Sequence, residues 1–178
     1  TMKVFNKLPS WIKYPESFAI PFNVNQYFLD LPENEDIKTK LTELISKLSS
    51  LQEISKASPL LSQCKELAMK IRFPQYNAET KALKDRLAKF GVNEDEIPLA
   101  LESIKKVWAS KFNERAFISV RKVGIQLNQI HMAVLCQKII PSEYAFVIHT
   151  KNPSNNNSDE VYSELVYGMG ETLVGSYE

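Results

Sequence analysis

Residues 134–153 read VLCQKIIPSEYAFVIHTKNP. Two apolar runs are broken by Pro141-Ser142-Glu143, and the second ends in the polar cluster His149-Thr150-Lys151-Asn152-Pro153. A hairpin that only fills a core needs neither the Gln137-Lys138 pair inside its first run nor that cluster at its end. Short runs of β-branched and aromatic residues bounded by turn residues read as strands. The pattern predicts strands over residues 131–138, 144–150 and 159–167, with a turn and a fourth strand over 172–176. The loop KNPSNNNSD (151–159) is solvated, with asparagine at its tip.

Upstream of Gly124 the period changes from two to that of a helix. Ile37, Leu41, Leu44, Ile45 and Leu48 recur at helical spacing between Asp36 and Leu51. Ser58-Pro59 predicts the start of a second helix, with Ser58 as N-cap and the proline in the first turn, ending before Pro74. A third covers 79–90 and closes at Gly91. A fourth begins near Pro98, and FNERAFISVRKV carries its spacing on through Val123. In the opening segment, Pro9, Pro15 and Pro21 forbid a helix interior, so Ser17–Ile20 reads as a short strand with turns on both sides. The architecture predicted is α+β, a mainly helical subregion over 1–124 and a mainly β subregion over 125–178.

Composition narrows the function. The chain has 178 residues, 44% hydrophobic and 24% charged, as in a soluble globular protein. Lys plus Arg number 22 against 21 Asp plus Glu, a net charge of +1 that argues against nucleic-acid and membrane-surface partners. The sequence reads without a secretory h-region and without an apolar run long enough for a membrane span. Cys64 and Cys136 belong to no metal spacing and read as buried thiols. His131 and His149 have no third ligand at a recognisable spacing. G-x-S-x-G, H-E-x-x-H and the P-loop are absent from the sequence. GMGETLVG (168–175) reads as a tight turn or as a backbone nest for an anion. Trp108-Ala109-Ser110-Lys111 puts a large ring and a cation close together, and core packing is the default for Trp108. Thr1 ahead of Met2 reads as a preparation remnant, a first indication that the chain was cut from something longer.

Three stretches carry a specific likeness. IKKVWASKFNERAFISVRKV (104–123), MAVLCQKIIPSEYAFVIHTKNPS (132–154) and ELVYGMGETLVGSY (164–177) resemble the nucleotide-binding region of the α-glucan, water dikinases. These are starch-phosphorylating enzymes related to pyruvate, phosphate dikinase and phosphoenolpyruvate synthase. LPSWIKYPESFAIPF (8–22) is similar to the family's Val-Pro-Ser-Trp…Leu-Pro-Phe segment. The resemblance implies that residues 1–178 form an incomplete ATP-grasp-like nucleotide-binding domain. In it Gln137, Lys138, Ile139 and Ile140 form the hinge strand against which adenine lies. It further implies that Thr150 and Asn152 stand on the phosphate side and that Glu171 lies near the sugar or phosphates.

The implied reaction converts ATP, α-glucan and water to AMP, phosphoglucan and phosphate, with Mg²⁺, through a phosphohistidine on another domain. Neither His131 nor His149 occupies that motif. Measured against the family, the chain starts after the Gly-Ala-Lys-Ser segment. It ends before the arginine segment and the Gln-Thr-Arg-Pro strand, which carry most charged contacts to ATP. Alone it is expected to bind ATP weakly or not at all and to be inactive. Asn155-Asn156-Asn157 stands where the plant enzymes carry Ser-Gly-Asp, and Met169 replaces a leucine. Other dikinases of this group, the phosphoglucan, water type and the pyruvate type, remain open, as does a non-catalytic interaction module that retains the fold. The compartment implied is a plastid or the cytoplasm, wherever the organism stores glucan.

Overall fold

The computed structural model describes residues 9–174, which fall into two compact units. The larger is Phe18–Cys136; the smaller holds the chain before Phe18 and from Gln137 onward.

In the larger unit, β1 (Ser17–Ile20) pairs with β2 (Val134–Gln137), the unit boundary passing through the strand ends. Between them run α1 (Phe22–Leu29), α2 (Glu35–Ser50), α3 (Ser58–Met69), α4 (Ala78–Lys89), α5 (Ile97–Ala109) and α6 (Glu114–Lys122). The expected stripe of α2 buries Ile37, Leu41, Leu44 and Leu48. It packs on α3, whose Leu61, Cys64 and Ala68 are buried and which also packs on α5. Burying one such aliphatic side chain stabilises by roughly 1.5–3 kcal/mol, so these stripes hold the bundle together. At the centre Phe28, Phe73 and Trp108 meet, with ring centroids 4.7 Å (Phe28 to Phe73), 6.2 Å (Phe28 to Trp108) and 5.9 Å (Phe73 to Trp108) apart. Phe28 and Phe73 meet edge to face, a contact that stabilises beyond the area it buries. Asn34 is fully buried yet satisfied: Nδ2 donates to the Phe28 and Arg72 carbonyls, and Oδ1 accepts from the Arg72 N–H at 2.8 Å. Its side chain thereby ties two loops together from within.

Several local expectations are corrected. Phe22–Leu29 is a helix, where only a turn was expected after the strand. Pro21 sits extended at its N-cap, and a proline at a helix start leaves no donor unsatisfied. Ser58 lies within α3 instead of capping it. The N-cap is Ala57, held in helical geometry because the 3-10 turn Ile54–Lys56 runs straight into the helix. Helical spacing past Trp108 is not one continuous helix. After the 3-10 turn Ser110–Phe112, Asn113 turns extended (φ −69°, ψ 144°) and α6 starts afresh. The third helix closes as expected, with Gly91 at φ 99°. Its start is capped by a residue the sequence reading passed over: Asn77 Oδ1 accepts from the Glu79 and Thr80 N–H groups.

In the smaller unit, β3 (Tyr144–His149) and β4 (Tyr162–Tyr167) pair antiparallel, from Tyr144 opposite Tyr167 to His149 opposite Tyr162. The strand expected before Pro141 therefore pairs with β1 and not with β3. A short helix, α7 (Glu171–Val174), stands where strand was expected. Gly175 and Ser176, the rest of that expected strand, lie outside the described residues, as does the Thr1-Met2 start.

Candidate functional site

Every residue singled out for nucleotide contact lies in the smaller unit. Gln137 closes β2 and is exposed. Next to it, Lys138 is tied twice to Glu16: its N–H donates to the Glu16 carbonyl at 3.0 Å, and its Nζ stands 2.5 Å from Glu16 Oε2. The Lys138 hydrogen bond and charge hold the Glu16 carboxyl below the usual carboxylate range. The pair is solvent-exposed, so its energetic weight is small and its effect is to fix the segment's direction. Ile139 and Ile140 follow with 75% and 51% of their surfaces exposed. An exposed apolar pair beside a polar strand end is the composition of a ligand-facing wall.

From there the chain meets the glycine turn. Ser142 Oγ donates to the Gly168 carbonyl at 3.2 Å, and the Gly168 N–H donates to the Glu143 carbonyl at 2.6 Å. Gly168 has φ 91°, a geometry that strains any residue with a Cβ. A Cβ at Gly170 would stand 3.2 Å from Ala145 Cβ, so the turn lies close against the start of β3. Glu171 opens α7 directly after that turn and is exposed. Residues 137–143 and Glu171 are thus joined at one end of the hairpin.

Thr150 and Asn152 stand at the other end. Six residue steps along β3 at about 3.3 Å each separate the two ends by about 20 Å. Thr150 is an exposed bend residue just past β3. Asn152 organises the loop. Its Oδ1 accepts from the Ser154 N–H at 2.9 Å while its Nδ2 donates to Glu160 Oε2 at 2.6 Å. Asn155 and Asn157 donate to the same carboxylate, at 3.2 Å and 3.0 Å. These three amides keep Glu160 below the usual carboxylate range, with the Asn152 bond foremost. Both functional ends of the Asn152 side chain are therefore engaged in holding the loop.

Sequence reading missed Glu16 and Glu160, the partners that fix Lys138 and the asparagine loop. Nothing local marked either one, since each pairing is made by folding. It also passed over an apolar sheet face. Cross-strand register puts Tyr144, Phe146 and Ile148 on the same face as Leu165 and Tyr167, all exposed. The alternation in YAFVIH was the signal that could have found it. Among the described residues no helix is long and apolar enough to cross a membrane.

The model of the pyruvate phosphate dikinase AMP/ATP-binding domain family matches residues 85–177, more than half of the chain, and the chain belongs to that family. Its α+β architecture is consistent with such a nucleotide-binding domain. The chain is 42% identical over 177 residues to the chloroplastic alpha-glucan water dikinase of Citrus reticulata, covering 96% of this chain and 12% of that protein. It is 39% identical over 180 residues to alpha-glucan water dikinase 2 of Arabidopsis thaliana, covering 96% of this chain and 13% of that one. Likeness to the phosphoenolpyruvate synthase of Pyrococcus furiosus is 31% over 74 residues, 42% of this chain. The chain thus spans about an eighth of the length of the glucan dikinases it matches.

Proposed function

We propose that this chain is part of the ATP-binding region of a glucan-phosphorylating dikinase. In this reading residues 1–178 are an incomplete nucleotide-binding domain, helical over 1–124 and β-rich over 125–178. The observation that carries it is coverage. Likeness to α-glucan water dikinases runs along 96% of the chain, against 42% for the phosphoenolpyruvate synthase. The whole protein would convert ATP, α-glucan and water to AMP, phosphoglucan and phosphate. A phosphohistidine on another domain would carry the phosphoryl group. The compartment would be a plastid, in keeping with the word chloroplastic in the name of the Citrus relative, or the cytosol where glucan is stored there.

Within this chain the work is binding and orientation. Gln137, Lys138, Ile139 and Ile140 form the wall for adenine, backbone groups meeting the ring's edge and the isoleucines its face. The Glu16–Lys138 pair supports this, because it holds the segment's course while leaving Ile139 and Ile140 open. Glu171, after the glycine turn that Ser142 and Glu143 hold, is an exposed carboxylate suited to the sugar or phosphates. Thr150 has an exposed position suited to a phosphate oxygen. Asn152 acts through the loop it organises, since its amide is already engaged.

Among the described residues no three His, Cys, Asp or Glu side chains gather to hold a metal on their own. Magnesium enters only as part of Mg-ATP. Phosphate charge needs cations to hold it, so this chain alone should bind Mg-ATP weakly or not at all. The test is calorimetric titration of Mg-ATP into this chain and into one extended at both ends to restore the flanking basic segments. Binding by the extended chain only, weakened about tenfold by Gln137→Ala, is the expected result. An extended chain that fails to bind would overturn the reading and favour a non-catalytic interaction module.

A further inference from the structure

The hairpin of the smaller unit has two faces of different chemistry. On one, Tyr144, Phe146, Ile148, Leu165 and Tyr167 are exposed, with Ser163 as the single small polar member. On the other, the register sets Ala145 opposite Val166, Val147 opposite Glu164 and His149 opposite Tyr162. Residues two apart on a strand share a face, as do residues directly opposite in an antiparallel pair. Ala145, Val147 and Val166 are half-buried there, whereas Glu164, His149 and Tyr162 are exposed. The glycine turn lies against this mixed face, because the Cβ that Gly170 lacks would meet Ala145 Cβ. An apolar surface with a few placed polar groups is the composition of a ligand site, whereas a uniformly apolar one suits packing against protein.

Glu164 stands at the centre of the mixed face. Tyr162, two residues before it on β4, donates its hydroxyl to Glu164 Oε1 at 2.8 Å. Among the described residues nothing donates to Oε2, and no cation pairs with the carboxylate. An ionised carboxylate only accepts hydrogen bonds, so its ligand must bring a donor. The phosphate oxygens of a nucleotide are negative and carry no donor. The donors it offers are the amine of the base and the hydroxyls of the sugar.

Order along the hairpin chooses between them. At the end that follows Ile139 and Ile140 in the chain, Ser142 and Glu143 hold Gly168, and Gly170 lies on Ala145. One same-face step further, about 7 Å at roughly 3.3 Å per residue, comes the pair Val147 and Glu164. Thr150 follows about 10 Å beyond, just past β3. Wall, carboxylate and threonine thus stand in the order of base, sugar and phosphate.

We infer that Glu164 is a further nucleotide contact, accepting a ribose hydroxyl at Oε2, with Tyr162 as the positioning residue that holds the carboxylate. This rests on the nucleotide reading and goes beyond it, because it makes the site select ribose over deoxyribose. An acidic side chain takes a ribose hydroxyl in the same way in dinucleotide-binding folds.

The test is a ratio of affinities, measured by calorimetry on the full-length protein. The probes are the β,γ-imido analogue of Mg-ATP, whose γ-phosphate is not released, and its 2′-deoxy and 3′-deoxy forms. The intact protein should bind the ribose form about tenfold more tightly than at least one deoxy form, the size of one hydrogen bond to a charged group. Glu164→Gln keeps the side chain's length and an acceptor for Tyr162 but removes the charge. It should weaken the ribose form to the level of that deoxy form, leave the deoxy form unchanged, and so erase the ratio. Should the glutamine variant fail to fold, Tyr162→Phe should still lower the ratio several-fold. A residue that only supported the hairpin would shift every probe alike. No ratio in the intact protein, or one that Glu164→Gln leaves intact, overturns the inference while binding itself upholds the nucleotide reading. If no form binds, the nucleotide reading falls and the inference with it.

Discussion

Phe28 and Phe146 are the same residue with opposite fates. Phe28 is 0% exposed and packs edge-on against Phe73, whereas Phe146 is 63% exposed on a two-stranded hairpin. The helical unit closes its own core: Ile37, Leu48, Leu61, Ile71, Trp108 and Phe112 are each 2% exposed or less. The hairpin leaves one face of Tyr144, Phe146, Ile148, Leu165 and Tyr167 open. Two strands cannot bury a face against each other, and a lone hairpin is marginal in water. The difference separates a part of the chain that is stable through its own packing from one that relies on cross-strand pairs and turn geometry. The residues proposed for nucleotide contact all lie in the second.

The comparison is broken most directly at Trp108. Trp108→Ala should cost about 3–5 kcal/mol, the range for emptying an aromatic site in a packed core. Denaturant unfolding followed by circular dichroism measures it, and a loss below 1 kcal/mol would mean that the core is not what holds the helical unit. Phe146→Ala is the paired control and should stay within about 0.5 kcal/mol by the same measurement. A large loss there would show that the open face is covered in solution.

Gly168→Ala sharpens the account of the hairpin. Its φ of 91° should make the alanine cost about 1–2 kcal/mol. Because Gly168 bonds to Glu143 and Ser142, the loss should appear as faster amide exchange across Tyr144–His149, with helical amides unaffected. Asn77→Ala does the reverse. Removing the cap that accepts from Glu79 and Thr80 should cost the helical unit about 1 kcal/mol and leave the hairpin's exchange unchanged.

The smallest effect concerns acid. The Glu16 carboxyl has a depressed value in the folded chain, held there by Lys138. Its contribution is therefore fully present above the ordinary carboxylate range and is lost as pH falls through the lowered folded value. The pair is exposed, so the change should be slight. Carboxyl NMR of Glu16 should show titration below the ordinary range, returning to it in Lys138→Met. An unshifted Glu16 would dissolve the pairing.

Much of this was legible in the residues. The stripe Ile37, Leu41, Leu44, Leu48 announced α2, and Pro98 and Gly91 bracketed their helices, because period and backbone constraint are local properties. The WASK, FVIHTKNP and GMGETLVG stretches pointed to the family, and the comparisons bear this out. Local pattern failed where two answers were locally equal. Pro21 ends a strand as readily as it starts a helix, and only the burial of Val24, Phe28 and Leu29 chose the helix. Spacing from Trp108 to Val123 suits one helix or two, and extended backbone at Asn113 decided for two.

By itself, then, the sequence determined the class, the helical faces, the turn glycines and the kinship with an AMP/ATP-binding family, all carried by residues close in the chain. Tertiary structure alone decided that β2 pairs with β1, that Glu16 meets Lys138, that Glu160 gathers three asparagines, and that Glu164 shares a face with Ala145, against which the glycine turn lies. Those contacts join residues whose separation along the chain carries no trace of their proximity, so they exist only once the helices and strands have packed.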